Sequence, residues 1–294
     1  MTITKIGVMS PGDMGQAVAI QLRQGGFAVH TALDKRSARS KTLAAEAGLI
    51  DVGSIAKLVA TCDVVLSIMN PASALEFAHE AAGAMAAMPA GSHKALFVDC
   101  NAIAPATLQA IEAAISAAGG RCLDGTIIGS PPRDGARCNL YFSGPGAGAL
   151  AVLAGPQLNV RILGERTGEA SSLKMCYGAM IKGIQALMLE TLMAARRLGV
   201  EEIFEQQMRE TRSDVHDWIL KVMPVMPPKA YRWVPEMLQI AKTFEGVGMT
   251  PRLFEGAADV YTMVAGTALG KQTPESRDKS VDGREVIRRL ADER

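Results

Sequence analysis

Short apolar runs alternate with helical segments along the first 160 residues of this 294-residue chain. Runs at 5–9, 63–69 and 95–99 have the length and composition of buried parallel strands, and a segment with helical apolar spacing follows each of them. Beyond residue 168 only helical segments follow. The pattern predicts the α/β class, with an N-terminal doubly wound Rossmann domain over 1–163 and an all-α C-terminal domain over 164–294.

The composition excludes several classes of protein. Apolar residues make up 48% of the chain, and a net charge of +1 provides no general attraction to nucleic acid or to an anionic membrane. Five cysteines without a C-x-x-C spacing argue against a disulfide framework or a zinc site. No segment has the pattern of a signal peptide or of a membrane span. We therefore expect a cytoplasmic protein that acts on a small molecule, without a metal, a nucleic-acid partner or a membrane.

The first strand-like run ends in a glycine turn that leads into a helical segment. This turn, Ser10-Pro11-Gly12-Asp13-Met14-Gly15, approximates the G-x-G-x-x-G pattern of dinucleotide-binding folds, with Ser10 in place of the first glycine. The second glycine of the pattern lets the backbone approach a pyrophosphate, and the third lets helix and strand pack closely. A tight turn without a ligand is the alternative. We name residues 10–15 the phosphate turn and predict that each of them contacts the cofactor.

The end of the second predicted strand carries residues that distinguish NAD from NADP. An acid at this place binds the ribose 2′-OH of NAD, and basic residues bind the 2′-phosphate of NADP. Asp34 has the spacing expected of the acid, whereas Arg36 and Ser37 have the chemistry of a phosphate clamp. Both cofactors stay open, and NADP is favoured because the cations Lys35, Arg36 and Arg39 outnumber the one carboxylate.

Several motifs resemble those of the β-hydroxyacid dehydrogenase family, which includes 3-hydroxyisobutyrate dehydrogenases and is related to 6-phosphogluconate dehydrogenases and imine reductases. The phosphate turn is similar to the family's G-L-G-x-M-G, and Asp99-Cys100-Asn101-Ala102 with Pro105 is similar to D-x-S-T-x-x-P. Asn70-Pro71 is similar to the end of a segment that often reads M-L-P. The resemblance implies hydride transfer with NAD or NADP. It also implies cofactor contacts at Met69, Asn70, Pro71 and Asn101.

The segment Asp124–Ser130 resembles the family's substrate-binding loop, D-A-P-V-S-G-G, but departs from it at important positions. Ile128 stands where the family has the serine that holds the substrate carboxylate, and Ser130 replaces the last glycine. The candidate replacements are Ser130, Arg133, whose guanidinium can bind a carboxylate with two parallel bonds, and the backbone N–H groups of Gly129 and Ser130.

Residues Gly164–Lys174 resemble the family's G-x-x-G-x-G-x-x-x-K and place Lys174 at the catalytic lysine. The implied role is a general base for alcohol oxidation, or an acid for the reverse reaction. Gly178 stands where the family has an asparagine, which would leave space beside the lysine for a substrate or a water. Lys182 follows one turn later on the same helical face. The predicted substrate contacts are Ile128, Gly129, Ser130, Arg133, Gly178 and Lys182.

These motifs predict an NAD(P)-dependent oxidoreductase for a small hydroxyacid-like or related alcohol, with Lys174 as acid and base. An imine reductase on the same scaffold and a cofactor-binding regulatory protein without turnover are the alternatives. Residues 245–258 resemble a divergent bacterial branch with its own C-terminal domain. The long helical segment at 169–198 is more apolar than a lone surface helix, so we expect the helical domain to form a homodimer.

Overall fold

A computed structural model describes residues 2–293 of the chain. The chain divides into two compact units between Met175 and Cys176. Sequence patterns place the domain boundary earlier, at residue 163, within the last strand, which ends at Gly164. The division lies instead inside a long helix that begins at Glu169.

The first unit is built on one eight-stranded sheet with the order β3-β2-β1-β4-β5-β6-β7-β8. All neighbouring strands are parallel except β6 and β7, which are antiparallel. The strands are β1 (Lys5–Met9), β2 (Ala28–Thr31), β3 (Ile50–Asp51), β4 (Val64–Ser67), β5 (Leu96–Asp99), β6 (Cys122–Gly129), β7 (Cys138–Ser143) and β8 (Leu158–Gly164). The order from β3 to β6 is that of the doubly wound dinucleotide-binding fold.

Helices cover both faces of this sheet, as the alternation of strands and helices predicts. One buried cluster joins Ile6 and Val8 of β1 to Val18 and Leu22 of the first helix. A second cluster, on the other face, packs β4 and β5 against three further helices. The helices are α1 (Asp13–Gln24), α2 (Ala38–Glu46), α3 (Ile55–Thr61), α4 (Ala74–Ala86), α5 (Pro105–Ala117) and α6 (Glu169–Arg197), whose later turns belong to the second unit. The predicted α/β class is confirmed.

Local signals explain where several of these helices begin and end. Helix α1 begins after Gly12 and ends before Gly25, and α5 begins with Pro105, whose fixed φ suits the first helical position. The Ser37 hydroxyl accepts a hydrogen bond from the Ser40 N–H and so caps α2. Among the strands and α-helices given above for this unit, β3, α3 and β8 were not predicted.

The second unit is helical over its described residues. Its helices after α6 are α7 (Glu201–Thr211), α8 (Ser213–Val222), α9 (Ala230–Gly246), α10 (Arg252–Gly266) and α11 (Gly283–Asp292). The helical spacing of the sequence predicts one helical segment near 201–222. The structure has two helices there, because the backbone leaves the helical conformation at Arg212. Within residues 2–293 no helix combines the length and the apolar character needed to cross a bilayer.

Candidate functional site

The predicted cofactor residues follow the carboxyl ends of adjacent parallel strands. Strand β1 leads into the phosphate turn, β2 leads towards Asp34, and β4 and β5 lead to Met69 and Asn101. The order of the sheet reverses at β1, since β2 lies on one side of it and β4 on the other. Open α/β sheets bind ligands at such a switch point, outside the carboxyl ends of the strands.

The phosphate turn wraps its backbone tightly between β1 and α1. The Gly12 N–H donates to the Ser10 carbonyl oxygen at 2.8 Å, and the Ser10 N–H donates to the Ile68 carbonyl oxygen at 2.8 Å. An added Cβ on Gly15 would lie 2.1 Å from the Ser10 oxygen, so this position requires glycine. The turn therefore brings the start of α1 directly against the end of β1.

Gly12 differs from Gly15 because it faces open space. No described atom lies within 4 Å of a Cβ built on Gly12. The N–H groups of Asp13, Met14 and Gly15 belong to the first turn of α1 and have no acceptor within the helix. An uncovered backbone beside free helical N–H groups suits an anionic pyrophosphate. These residues fit a dinucleotide cofactor.

Arg133 contacts the phosphate turn from the loop after β6. Its Nη2 donates to the Asp13 carbonyl oxygen at 2.7 Å and also forms an ion pair with the Asp13 carboxylate. The sequence pattern made Arg133 a candidate for binding a substrate carboxylate. The structure places its guanidinium beside the start of α1.

The residues after β2 form an exposed turn. Lys35 has a left-handed φ of +58°, and the Arg36 N–H donates to the Leu33 carbonyl oxygen at 3.2 Å. Asp34 and Lys35 are exposed, and Arg36 is half-buried. Ser37 holds its hydroxyl on the N–H of Ser40. The acid that would favour NAD and the cations that would favour NADP thus lie on the same short turn.

Asn101 connects the ends of β4 and β5. Its Oδ1 accepts from the Met69 N–H at 2.6 Å, and its Nδ2 donates to Ser67 Oγ and to Asp99 Oδ2, each at 2.7 Å. Burial raises the pKa of the Asp99 carboxyl to about 7, and the neighbouring Asp124 carboxylate acts in the same direction. Asn101 therefore fixes the loop that begins at Met69.

Asn70 and Pro71 begin a short 3-10 helix after β4, at Pro71–Ser73. The Asn70 Oδ1 accepts from the Ala72 N–H at 3.1 Å and caps this turn, while Pro71 is buried. Met69-Asn70-Pro71 thus forms one ordered segment at the end of β4. Because β4 lies next to β1, this segment and the phosphate turn lie at the same edge of the sheet.

Lys174 lies in the second turn of α6 and contacts the sheet. Its Nζ donates to the carbonyl oxygen of Ile127 in β6 at 2.6 Å, and the side chain is half-buried. Because β6 is parallel to β5, residue 127 lies towards the same sheet edge as Asn101. The sequence motif thus brings a lysine ammonium to the edge that carries the predicted cofactor residues.

Asp124 fastens the start of α6 to the same strand. Its buried carboxylate accepts from the N–H groups of Gly168 and Ser171, both at 3.0 Å, and from the Ser171 hydroxyl at 2.5 Å. The Ser143 hydroxyl of β7 also donates to it at 2.9 Å. Burial raises the pKa of the Asp124 carboxyl, and these hydrogen bonds oppose that rise. Asp124 is the first residue of the substrate-loop motif, but no sequence pattern indicated this role.

The end of β6 combines a buried apolar residue with two exposed residues. Ile128 is buried, whereas Gly129 and Ser130 are exposed, and Gly129 has a φ of +128° that favours glycine. Thr126, on the same strand face as Ile128, is fully buried, and its hydroxyl has no hydrogen-bond partner among the described protein atoms. The serine position of the family loop is therefore apolar here.

In the second unit, Gly178 and Lys182 contact helix α9. A Cβ on Gly178 would lie 3.2 Å from Ile240 Cδ1 and 3.3 Å from Glu236 Oε1, so α9 fills the space expected beside this glycine. Lys182 forms an ion pair with Glu236, and its Nζ lies 5.2 Å from the ring centre of Trp233. Both predicted substrate residues thus take part in helix packing.

Two family models match separate parts of the chain. Residues 5–140 match the NAD binding domain of 6-phosphogluconate dehydrogenase. Residues 195–264 match a domain of unknown function, DUF1932. The first match covers the phosphate turn and the ends of β2, β4 and β5, so the cofactor is NAD or NADP.

The chain is also similar to curated proteins and to solved structures. An L-threonate dehydrogenase from Cupriavidus necator is 32% identical over 202 residues, which are 67% of this chain and 66% of that protein. A conserved hypothetical protein from Sinorhizobium meliloti has a TM-score of 0.66 at 27% identity, covering 99% of this chain and 96% of that one. A Mycobacterium tuberculosis 3-hydroxyisobutyrate dehydrogenase, solved with L-serine, has a TM-score of 0.68 at 20% identity, covering 98% and 99%.

Proposed function

Because the chain belongs to the β-hydroxyacid dehydrogenase family, with a helical C-terminal domain, we propose that it transfers a hydride between NAD(P) and a small hydroxyacid-like or related alcohol. Lys174 is the general acid and base in this proposal. The observation that carries it is the position of the Lys174 ammonium, bonded to Ile127 at the sheet edge that holds the cofactor residues.

The bound cofactor supplies the hydride acceptor or donor, and the chain supplies the proton transfer. Oxidising an alcohol releases a proton from the hydroxyl, and a neutral Lys174 would accept it at Nζ. In the reverse direction the Lys174 ammonium would return that proton to the carbonyl oxygen. A lysine performs this step when it is placed within hydrogen-bond reach of the reacting oxygen.

The phosphate turn holds the pyrophosphate in this proposal, on the uncovered backbone at Gly12 and the free N–H groups of α1. Met69, Asn70, Pro71 and Asn101 are the proposed contacts on the nicotinamide side. Arg36 and Ser37 favour NADP, and Asp34 favours NAD. We assign the preference to NADP because the cations outnumber the acid at this turn.

The buried Ile128 limits how a substrate carboxylate can be bound. It offers no hydrogen bond where the family loop has a serine, so a carboxylate would depend on the backbone N–H groups of Gly129 and Ser130 or on the Ser130 hydroxyl. Both residues are exposed at the end of β6. A substrate with an apolar group near its carboxylate would suit this combination.

Absorbance of the reduced cofactor tests the proposal directly. The protein is mixed with NADP or NAD and a panel containing L-threonate, 3-hydroxyisobutyrate, L-serine and simple polyols. We expect cofactor reduction with at least one hydroxyacid and its loss in Lys174→Ala. Reduction of cyclic imines without hydroxyacid oxidation would favour the imine-reductase alternative, and cofactor binding without any turnover would favour the regulatory one.

We further propose that the chain is a homodimer through α6. Residues Tyr177, Met180, Ile184 and Leu187 recur at alternating spacings of three and four, and all are exposed in the single chain, Leu187 by 63%. The spacing continues through Thr191 and Ala194 to Leu198, which is 76% exposed. An apolar stripe with this heptad spacing is typical of helix–helix interfaces, and a contiguous exposed stripe calls for a covering partner. We name these residues the α6 stripe.

A further inference from the structure

The loop between β6 and β7 is attached to helix α1 at two points. Arg133 Nη2 donates to the carbonyl oxygen and the carboxylate of Asp13, the first residue of the helix. Two turns further along α1, Gln21 Nε2 donates to the Pro132 carbonyl oxygen at 3.3 Å. Neighbouring residues of the loop thus lie along one side of the cofactor helix.

The loop backbone holds Arg133 in a defined position. The Arg133 N–H donates to the Pro131 carbonyl oxygen, and its own carbonyl accepts from the Ala136 N–H, both at 2.9 Å. Asp134 adopts a left-handed φ of +52°, which is uncommon outside glycine and costs conformational free energy. The Arg133 side chain is nevertheless 43% exposed, so part of it is accessible from solvent.

The charge of Asp13 makes this contact significant for cofactor binding. A carboxylate at the first position of a helix is favourable in the free protein, because it faces the positive end of the helix dipole. A bound dinucleotide brings the negative pyrophosphate to the same end of α1, where it would meet the Asp13 carboxylate. A cation beside Asp13 offsets this repulsion and strengthens the attraction of the turn for the phosphates.

We propose that Arg133 is a ligand of the cofactor pyrophosphate and that Asp13 is its positioning residue. Nη2 stays on Asp13, while the remaining N–H groups of the guanidinium donate to the phosphate oxygens. The inference rests on the dinucleotide binding in the proposed function. It assigns Arg133 to the cofactor and leaves substrate recognition to the end of β6.

Calorimetric titration with ADP-ribose, which contains the pyrophosphate but no nicotinamide, tests this assignment without a substrate. Arg133→Ala is expected to weaken ADP-ribose by about 10–100-fold, because a charge-assisted phosphate contact is lost. Adenosine, which lacks the pyrophosphate, should bind both proteins equally. Arg137→Ala removes an exposed cation from the same loop and is the matched control; it should leave ADP-ribose binding unchanged. A loss in Arg137→Ala equal to that in Arg133→Ala would overturn the assignment, since net charge alone would explain both.

The double variant Asp13→Ala/Arg133→Ala separates contact from charge neutralisation. If Arg133 contacts the phosphates, the double variant stays at least about tenfold weaker than wild type. Recovery to the wild-type affinity would show that Arg133 only shields Asp13 and would overturn the proposal. Arg133→Lys keeps the charge without the planar fork and should bind with intermediate affinity, which covers the case in which the alanine variant folds poorly.

The outcomes for the two proposals are distinct. Wild-type protein that fails to bind ADP-ribose would contradict the proposed function and this assignment with it. Equal affinity of wild type and Arg133→Ala, with wild type binding well, would contradict the Arg133 assignment alone.

Discussion

The Lys174 Nζ donates a 2.6 Å hydrogen bond to the carbonyl oxygen of Ile127, so the backbone of β6 fixes the charged end of a helix residue. Three residues earlier on each element, the Asp124 carboxylate of β6 accepts from the N–H and hydroxyl of Ser171. Strand and helix are thus joined at two levels, one at the helix start and one at the lysine. The position of Lys174 depends on both.

Lys174→Ala should lower kcat by about 10²–10⁴-fold, because the proton transfer to or from the substrate oxygen loses its side chain. ADP-ribose should bind the variant as tightly as wild type. Lys174→Arg is the control for charge: guanidinium can still donate to Ile127, but it stays protonated and cannot act as a base. Steady-state kinetics with the substrate found in the panel measure both variants, and an unchanged kcat in either would remove Lys174 from the mechanism.

Asp124 provides a second test, which separates packing from charge. In Asp124→Asn the amide oxygen can keep the Gly168 and Ser171 N–H donors while the amide N–H₂ donates to the Ser171 hydroxyl, so we expect near wild-type stability. Asp124→Ala leaves these buried donors without an acceptor and should cost about 2–4 kcal/mol in the free energy of unfolding. Urea denaturation measures both. Equal stability of the alanine and asparagine variants would contradict the capping role.

The buried Asp99 predicts how stability depends on pH. Burial raises its pKa in the folded protein to about 7 from an ordinary 3.8. Between these values the folded state keeps a proton that the unfolded state has lost, so the contribution of Asp99 to stability is present at low pH and is lost as pH rises through this window. Asp99→Asn should therefore show a smaller fall in the free energy of unfolding between pH 5 and pH 8. An identical pH dependence in wild type and variant would refute this.

Arg36 and Asp34 test the cofactor preference. Arg36→Ala should weaken NADP by about 10–100-fold and NAD much less, since only NADP offers the 2′-phosphate. Asp34→Ala should weaken NAD more than NADP. Fluorescence titration gives all four affinities, with Arg39→Ala as a nearby exposed cation for comparison. Equal losses for the two cofactors in Arg36→Ala would reverse the assigned preference.

The α6 stripe can be tested by adding charge to it. Leu187→Glu places a carboxylate in the middle of the stripe and should convert a dimer to a monomer, as measured by light scattering on a sizing column. Val152→Glu changes an apolar residue of the first unit that is 56% exposed and should leave the dimer intact. Wild-type protein that elutes as a monomer would contradict the proposed interface.

Local patterns predicted most of the first unit, and long-range pairing explains what they missed. The runs predicted as strands at 121–128 and 139–143 correspond to β6 and β7. Apolar composition does not encode strand direction, and β7 runs antiparallel to β6. Strand β8 escaped prediction because it is an edge strand whose residues are mostly exposed. Leu158, Val160 and Ile162 alternate with polar residues, which is the pattern of a half-exposed strand and not the continuous apolar run of a buried one.

The same distinction holds for the candidate site. The phosphate turn is a contiguous motif, so its residues were predicted together. The contacts of Arg133 with Asp13 and of Asp124 with Ser171 join residues 120 and 47 positions apart, and no single motif contains both partners. Gly178 and Lys182 were predicted to contact the substrate because their spacing places them on the same helix face as Lys174. The sequence did not indicate that the helix carrying their neighbour Glu236 packs against them.

The two glycines of the phosphate turn are subject to different constraints. At Gly15 any side chain would collide with the Ser10 backbone, so a substitution there damages folding itself. At Gly12 the φ of −85° is open to every residue and no described atom obstructs a Cβ, so a substitution would leave the fold intact and occupy only the approach of the phosphates. A substitution at Gly12 would therefore give a protein that folds but does not bind the cofactor. An allele carrying this substitution would show what the folded, ligand-free chain contributes to a cell.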